Sequence, residues 1–270
     1  MITTLGVGSV PAPRLADWAL ARGRVALATS DAAQLLGVPP GQVRVRLRAP
    51  MLRGEWVAPA RGLWVPVPSQ HRGLGSYPAI EYIDAWMTYL GASYHVGWLS
   101  AAALHGAAHQ APQVFQVACS KTVKDRQIGR ARTEFHARAN VSRILVTQRR
   151  VAAGDVPVSS REATALDVAA EPAWAAGIDN AANVIVELAD GGGLDATLLA
   201  ETASLYPVAA ARRVGWILAN NTDTKNLGKL RRATTTGAHT PSLLSPSGPR
   251  RGPVDKDWNL RLNADLGVDV

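Results

Sequence analysis

The chain has 270 residues, of which 47% are hydrophobic and 19% charged; this length accommodates two domains, and this balance excludes an intrinsically disordered chain. The single cysteine excludes an internal disulfide, the N-terminus lacks a signal-peptide pattern, and no stretch reaches the roughly 18 apolar residues of a membrane helix, so we expect a cytoplasmic protein without membrane contact. Residues 1–76 contain nine arginines and three acidic residues, so they carry +6 of the net charge of +8. This distribution is typical of a nucleic-acid-binding module joined to a nearly neutral body. A basic face also suits an acidic protein partner.

Two short helices are predicted near the N-terminus. The first covers residues 12–22, where apolar residues recur at helical spacing. The second is capped by Thr29 or Ser30 and ends at Gly37, and the Pro-Pro-Gly sequence at 39–41 makes the next helix start at a new angle. Two helices joined by a short glycine-containing turn predict a helix-turn-helix.

The third helix, predicted over residues 41–49, is basic on its free face. Val43 and Leu47 fall on one side of a helical wheel, which leaves the arginines towards the other side. Pro50 is expected to break or kink this helix and so to limit it to about three turns.

A β-hairpin is predicted after the basic helix. Two short β-prone runs, residues 55–58 and 63–67, flank a tip that contains proline, glycine and Arg61. Three helices followed by a hairpin predict a winged helix, which we assign to residues 1–70, with a linker at 71–77. A small α+β domain with a solvated basic face is the alternative.

The basic segment predicts DNA contacts of two kinds. The candidate DNA-binding residues are Gln42, Arg44, Arg46, Arg48, Arg53 and Arg61. Gln42, Arg46 and Arg48 lie on the free face of the helix and are expected to contact base edges in the major groove. Arg44, nearer the packed edge, and Arg61, at the hairpin tip, are better placed for phosphates or the minor groove.

Residues 78–270 predict a larger mixed domain that is rich in helices. Ser159 and Glu162 have capping-box spacing at the start of one helix. The other predicted elements are a helix within 79–90, strands at 113–119 and 143–148, helices near 177–189, 194–204, 206–219 and 223–233, and a last strand at 258–263. The predicted fold class is therefore α+β, with an N-terminal winged helix-turn-helix followed by a larger mixed α+β domain.

The most suggestive chemical motif is His-Gly-Ala-Ala-His at residues 105–109. Histidines at i and i+4 on a helix bind zinc in metalloproteases, but Gly106 stands where those enzymes carry the catalytic glutamate. We therefore interpret His105 and His109 as structural, and Cys119 as a buried residue of a strand. The sequence predicts no cofactor, no metal and no enzymatic activity; a metal-dependent, nuclease-like enzyme that uses the two histidines is the rival hypothesis.

Four segments of the body together resemble a known family. Their residues are Tyr94, Gly97, Trp98, Ser100, Ala101, Leu104, His105 and Gly106; Arg161, Glu162, Thr164, Leu166 and Asp167; Arg213, Gly215 and Leu218; and Trp258, Leu260 and Asn263. In this order they resemble the AbiEi-type antitoxins of bacterial abortive-infection toxin–antitoxin systems, and the resemblance covers nearly the whole chain.

The resemblance implies a two-domain antitoxin. The winged helix would repress its own operon by binding operator repeats in double-stranded DNA, and the C-terminal domain, residues 78–270, would counteract a nucleotidyltransferase-like toxin. This chain lacks the paired acidic residues in a Gly-Ser context that such a toxin carries, so it is expected to be the antitoxin. The resemblance leaves open whether the antitoxin binds the toxin directly, and a basic protein-interaction module is a further alternative.

Overall fold

The computed structural model describes residues 9–73, 77–108, 112–190, 193–235 and 240–267. Helices and strands both contribute throughout, so the predicted α+β class is confirmed. Within the described residues the strands form two three-stranded sheets and one six-stranded sheet.

Residues 9–72 form an N-terminal unit of short helices and a small sheet. Its elements are α1 (Ala12–Leu20), β1 (Leu27–Ala28), α2 (Thr29–Leu36), α3 (Val43–Leu52), β2 (Trp56–Val57), β3 (Leu63–Pro66) and α4 (Ser69–Arg72). Strands β2 and β3 form the predicted antiparallel hairpin, with Val57 opposite Val65. Strand β1, which the sequence did not indicate, pairs with the other edge of β3.

Helix α2 begins and ends through backbone geometry. Gly37 ends it in the left-handed conformation, with φ of 64°, as the sequence predicted. The prediction that Thr29 or Ser30 caps its start is wrong, since the cap position is Ala28 and no side chain bonds there. The Thr29 hydroxyl instead donates to the Gly62 carbonyl oxygen, at 3.2 Å, and so ties α2 to the hairpin.

Pro50 does not break α3. A 3-10 turn at Pro40–Gln42 leads directly into the helix, which then continues through Pro50 to Leu52. Proline lacks the N–H that would donate to the preceding turn, yet the N–H of Arg53 still bonds to the Ala49 carbonyl oxygen at 3.2 Å. Pro50 is buried, and the helix continues beyond the point where the sequence predicted its end.

A six-stranded sheet forms the centre of the body. The elements around it are α5 (Ile83–Leu90), β4 (Tyr94–Val96), α6 (Trp98–Leu104), β5 (Val114–Cys119), β6 (Arg126–Ile128), β7 (Ala131–Ala137), β8 (Val146–Val151) and β9 (Gly154–Ser159). The strand order is β6-β7-β5-β4-β9-β8, with β5 and β7 parallel, β4 and β9 parallel, and the other pairs antiparallel. Cys119 closes β5 fully buried, as predicted, and burial raises the pKa of its thiol.

The remainder of the body is a helical layer completed by a small sheet. Its elements are α7 (Arg161–Ala170), α8 (Ile178–Asp190), α9 (Ala196–Ala203), α10 (Val208–Asn221), α11 (Gly228–Thr235), β10 (Ser242–Leu243), β11 (Val254–Asp255) and β12 (Leu260–Arg261). Four predicted helices are thus confirmed, with their boundaries shifted by up to five residues. The cap of α7 is Ser160, whose hydroxyl accepts from the Ala163 N–H, so the predicted capping box at Ser159 is one residue early. Within the described part of the chain, no helix is both long enough and apolar enough to cross a membrane.

Candidate nucleic-acid interface

Helix α3 is held against the N-terminal unit by one apolar face. Val43 and Leu47 are fully buried and pack in a core that includes Leu15 of α1, Leu36 of α2 and Trp56 of β2. This core fixes both the position of α3 and its rotation about its own axis. The opposite face of the helix is therefore presented to solvent in a defined orientation.

The predicted contact residues of α3 all lie on that free side. Gln42, Arg46 and Arg48 are exposed, as the helical wheel predicted, and Arg44, predicted nearer the packed edge, is exposed as well. Residues 32–54 contain four arginines and no acidic residue, so the charge of this side is uncompensated by the local sequence. Among the described residues no ion pair involves Arg44, Arg46 or Arg48.

Arg53 is placed differently from the other candidates. Its Nε lies 2.6 Å from a carboxylate oxygen of Glu55, and its side chain is half exposed. The hydrogen bond from Arg53 to Glu55 raises the pKa of the guanidinium. Because this ion pair neutralises much of its charge locally, Arg53 is the least available of the predicted cations for a phosphate.

Arg61 lies at the hairpin tip, as predicted, but the tip itself is bound to the body. The Tyr89 hydroxyl of α5 donates to the Arg61 carbonyl oxygen at 3.1 Å, and Arg126 of β6 donates to the Pro59 carbonyl oxygen at 3.0 Å. Gly62 has φ of 88°, and a Cβ there would lie 2.6 Å from the Tyr89 hydroxyl oxygen. The backbone of the tip is therefore fixed, while the Arg61 side chain remains exposed.

An apolar seam joins the hairpin to the body. Leu63, Val65 and Val67 are buried in one cluster with Trp86 of α5 and Val117 of β5. The domain boundaries at 1–70, 71–77 and 78–270 stay a prediction, but the hairpin and the body share a core.

The two residues that hold the tip, Tyr89 and Arg126, were not predicted as functional residues. Each contacts a partner at least 28 positions away along the chain, and no local pattern indicates such a contact. The apolar seam, in contrast, was indicated by the sequence. Residues 63–67 form a continuous apolar run, which is typical of a strand buried on both faces.

His105, one of the two histidines of the rival enzyme hypothesis, follows the end of a helix. Helix α6 ends at Leu104, and His105 is its C-terminal cap; His109 lies outside the described residues. The Nε2 of His105 lies 2.7 Å from the Ser159 carbonyl oxygen, which only accepts, so this nitrogen is the donor. Burial lowers the pKa of His105, which favours the neutral ring. His105 thus links α6 to β9, a structural role.

A hollow of about 530 Å³ lies beside Glu134, His136 and Trp174 in the body. The His136 ring stacks on Trp174 with centroids 3.8 Å apart, and burial lowers the pKa of His136. His105 does not line this hollow. In the described ranges no three histidine, cysteine, aspartate or glutamate side chains are grouped so as to hold a metal ion.

Several residues of the family resemblance have structural roles in the body. Asp167, fully buried, accepts from Arg138 at 2.7 Å and from the Tyr206 hydroxyl at 2.9 Å. A Cβ at Gly97 would lie 3.3 Å from the second oxygen of the same carboxylate. Gly215 of α10 lies where the Trp258 ring packs on the helix.

Comparison with known proteins agrees with these observations. Residues 95–220 match the family model of the AbiEi antitoxin C-terminal domain, which confirms the family resemblance for this part of the chain. Among solved structures, the Rv2827c protein from Mycobacterium tuberculosis is 16% identical, with a TM-score of 0.67 and coverage of 96% of this chain and 94% of that one, a similarity of fold alone. No curated protein matched the sequence.

Proposed function

We propose that this chain, which carries an AbiEi antitoxin C-terminal domain at residues 95–220, is a cytoplasmic DNA-binding autorepressor and the antitoxin of its operon. The domain supports an antitoxin role. The finer proposal is that the N-terminal unit is a winged helix that binds the operator repeats of its own promoter, and that the body counteracts a nucleotidyltransferase-like toxin. No catalytic step is part of this proposal.

The observation that carries the DNA-binding proposal is the free face of α3. A helix that is packed on one side and exposed on the other has the shape that enters the major groove of DNA. Its exposed arginines, with no acidic residue from position 32 to 54, supply the positive charge that a phosphate backbone requires. A surface that was merely solvated would ordinarily mix both signs of charge.

The individual roles follow the positions of the side chains. We propose Gln42, Arg46 and Arg48 for base edges and Arg44 for a phosphate. Arg61 is proposed for a phosphate or the minor groove, at a tip that the body holds in place. Arg53 is kept in the candidate set as the weakest member, because Glu55 already pairs with it.

The test is a titration of the full-length protein against two duplexes, the DNA upstream of its own gene and a random duplex of equal length. Replacing Arg46 or Arg48 by alanine should lower the discrimination between them by about five- to 150-fold, the effect of losing a base contact. Arg250→Ala, which removes an exposed arginine near the C-terminus, is the matched control. Unchanged binding for both α3 variants would mean that these arginines are only a solvated face.

The antitoxin part is tested by expression with the neighbouring reading frame. Growth arrest by that product alone, relieved by the full chain, is the expected result. Relief without a stable complex is consistent with the proposal, whereas no relief contradicts it. Failure to bind DNA at low salt, together with capture of an acidic protein, would favour a protein-interaction module instead.

A further inference from the structure

The outermost residues of α3 are apolar. Val45 is 72% exposed and Leu52 82% exposed, and Ala49, one turn from Val45, is exposed as well. In an α-helix of about 3.6 residues per turn these three positions form one line, directly opposite the buried Val43 and Leu47. We call Val45, Ala49 and Leu52 the apolar ridge.

The arginines of α3 flank the apolar ridge on both sides. Arg44 and Arg48 lie along one side of it, and Arg46 and Arg53 along the other. A shallow hollow of about 440 Å³ follows the second side, and its lining includes Val45, Ala49, Arg46 and Arg53. The free face therefore has an apolar centre between two basic margins.

We propose that the apolar ridge contacts thymine methyl groups on the floor of the major groove, a specificity that rests on the proposed DNA-binding function. The floor of that groove presents the C5-methyl of thymine, which small apolar side chains contact, while the groove walls are phosphates. A helix inserted with its ridge inwards would place the apolar side chains against the bases and each basic margin between the floor and the walls. There Arg46 and Arg48 can reach base edges, and Arg44 can reach a phosphate. The charge pattern of this face thus matches that of the groove.

The length of the apolar ridge limits how many bases it reads. Seven residues separate Val45 from Leu52, which corresponds to about 10 Å along a helix at 1.5 Å per residue. With about 3.4 Å between successive base pairs, the ridge spans on the order of three of them. Its preferred sites should therefore carry thymines within a window of about three base pairs.

Two other occupants of the ridge fit the charge pattern poorly. A second copy of this face would bring eight arginines together, with Glu55 of each copy already paired to Arg53. An anionic membrane attracts the basic margins, but the ridge offers only three apolar side chains for insertion. Duplex DNA satisfies both the charged margins and the apolar centre.

The experiment begins with duplexes selected from a random pool by the full-length protein. Thymines in the selected site are then replaced, one at a time, by deoxyuridine, which removes only the methyl group. For the wild type we expect a three- to fivefold loss of affinity, roughly, at each contacted methyl. At one of these positions the Val45→Ala protein should bind the thymine duplex and the deoxyuridine duplex equally. Shortening the valine and removing the thymine methyl abolish the same contact, so the second change has no further effect.

The control is Val208→Ala, which shortens an exposed valine at the start of α10, far from α3 in the sequence, and should keep the full discrimination. If the protein binds a selected duplex specifically but its affinity is unchanged by deoxyuridine at every position, the thymine-methyl inference is overturned and the DNA-binding proposal is not. Equal or tighter binding to anionic lipid vesicles, or self-association that Leu52→Ala abolishes, would also overturn the thymine-methyl inference. A pool in which no duplex is enriched would overturn the DNA-binding proposal as well.

Discussion

Replacing Gly215 by alanine should destabilise the body, although alanine is normally the better residue inside a helix. Gly215 lies within α10, and a Cβ built there falls against three ring carbons of Trp258, 2.5 Å from Cε3. Carbon atoms in contact need about 3.5 to 4.0 Å, so the ring would have to retreat by about 1 Å or more. Trp258 is only 4% exposed and packs with Leu244 and Leu260, so its ring has little room to move.

The expected magnitude combines two opposing terms. Overpacking of a core costs about 1 to 3 kcal/mol, and contact with a rigid ring belongs at the upper end of that range. Gly→Ala inside a helix returns about 0.5 to 1 kcal/mol. We therefore expect Gly215→Ala to lower the free energy of unfolding by about 1 to 2 kcal/mol.

Urea denaturation followed by far-UV circular dichroism measures this change. Gly228→Ala, at the first position of α11, is the control, because a Cβ there approaches only the Arg232 guanidinium, at 3.9 Å. In a Trp258→Ala background the clash is absent, so Gly215→Ala should become stabilising by about 0.5 to 1 kcal/mol. A Gly215→Ala protein as stable as the wild type, with the same effect in both backgrounds, would refute this reasoning.

Three further predictions concern other parts of the molecule. If Arg61 contacts a phosphate, Arg61→Ala should make the slope of log K against log salt less negative by about 0.9 and weaken specific and random DNA alike. A loss confined to the specific duplex would contradict the phosphate role and favour the minor groove. Asp167→Asn removes a buried negative charge paired with Arg138 and should destabilise the protein by about 3 kcal/mol in thermal or urea unfolding, whereas an unchanged midpoint would show that the pair is not formed. Elemental analysis of the purified protein should find no stoichiometric zinc or manganese; metal that is lost in His105→Ala would instead support the rival enzyme.

The N-terminal unit was predictable because its signals are local. Gly37 and the following prolines act on their own backbone, so they mark the end of α2 and the start of the next helix. The exposed arginines of α3 follow directly from the spacing of Val43 and Leu47. Pro50 was misleading, since it is buried within α3 and the helix continues past it to Leu52.

Contacts between residues that are distant in the sequence could not be predicted from the patterns of single elements. Strand β1 has only two residues and forms by pairing with β3, more than 30 positions later. The bonds from Tyr89 and Arg126 to the tip likewise depend on how the units pack. Such contacts are set by tertiary structure and leave no periodic pattern in the sequence.

The candidate interface was predicted in part. The sequence located the basic residues, but Val45, Ala49 and Leu52 were not predicted to form a contact surface. Their exposure of 72% for Val45 and 82% for Leu52 required the packing of α3 to be known. In the body, the resemblance named Gly215 and Trp258 without a physical reason, which their contact now supplies.

The most direct test of DNA binding by α3 is the salt dependence of affinity. Full-length wild type and a triple variant, with Arg44, Arg46 and Arg48 replaced by alanine, are titrated against a selected duplex at several salt concentrations. Loss of Arg44, which is assigned to a phosphate, should make the slope of log K against log salt less negative by about 0.9 in the variant. Loss of the base contacts of Arg46 and Arg48 should also lower its affinity for the selected duplex at every salt concentration. Equal slopes and equal affinities for the two proteins would contradict the proposal that this face of α3 binds DNA.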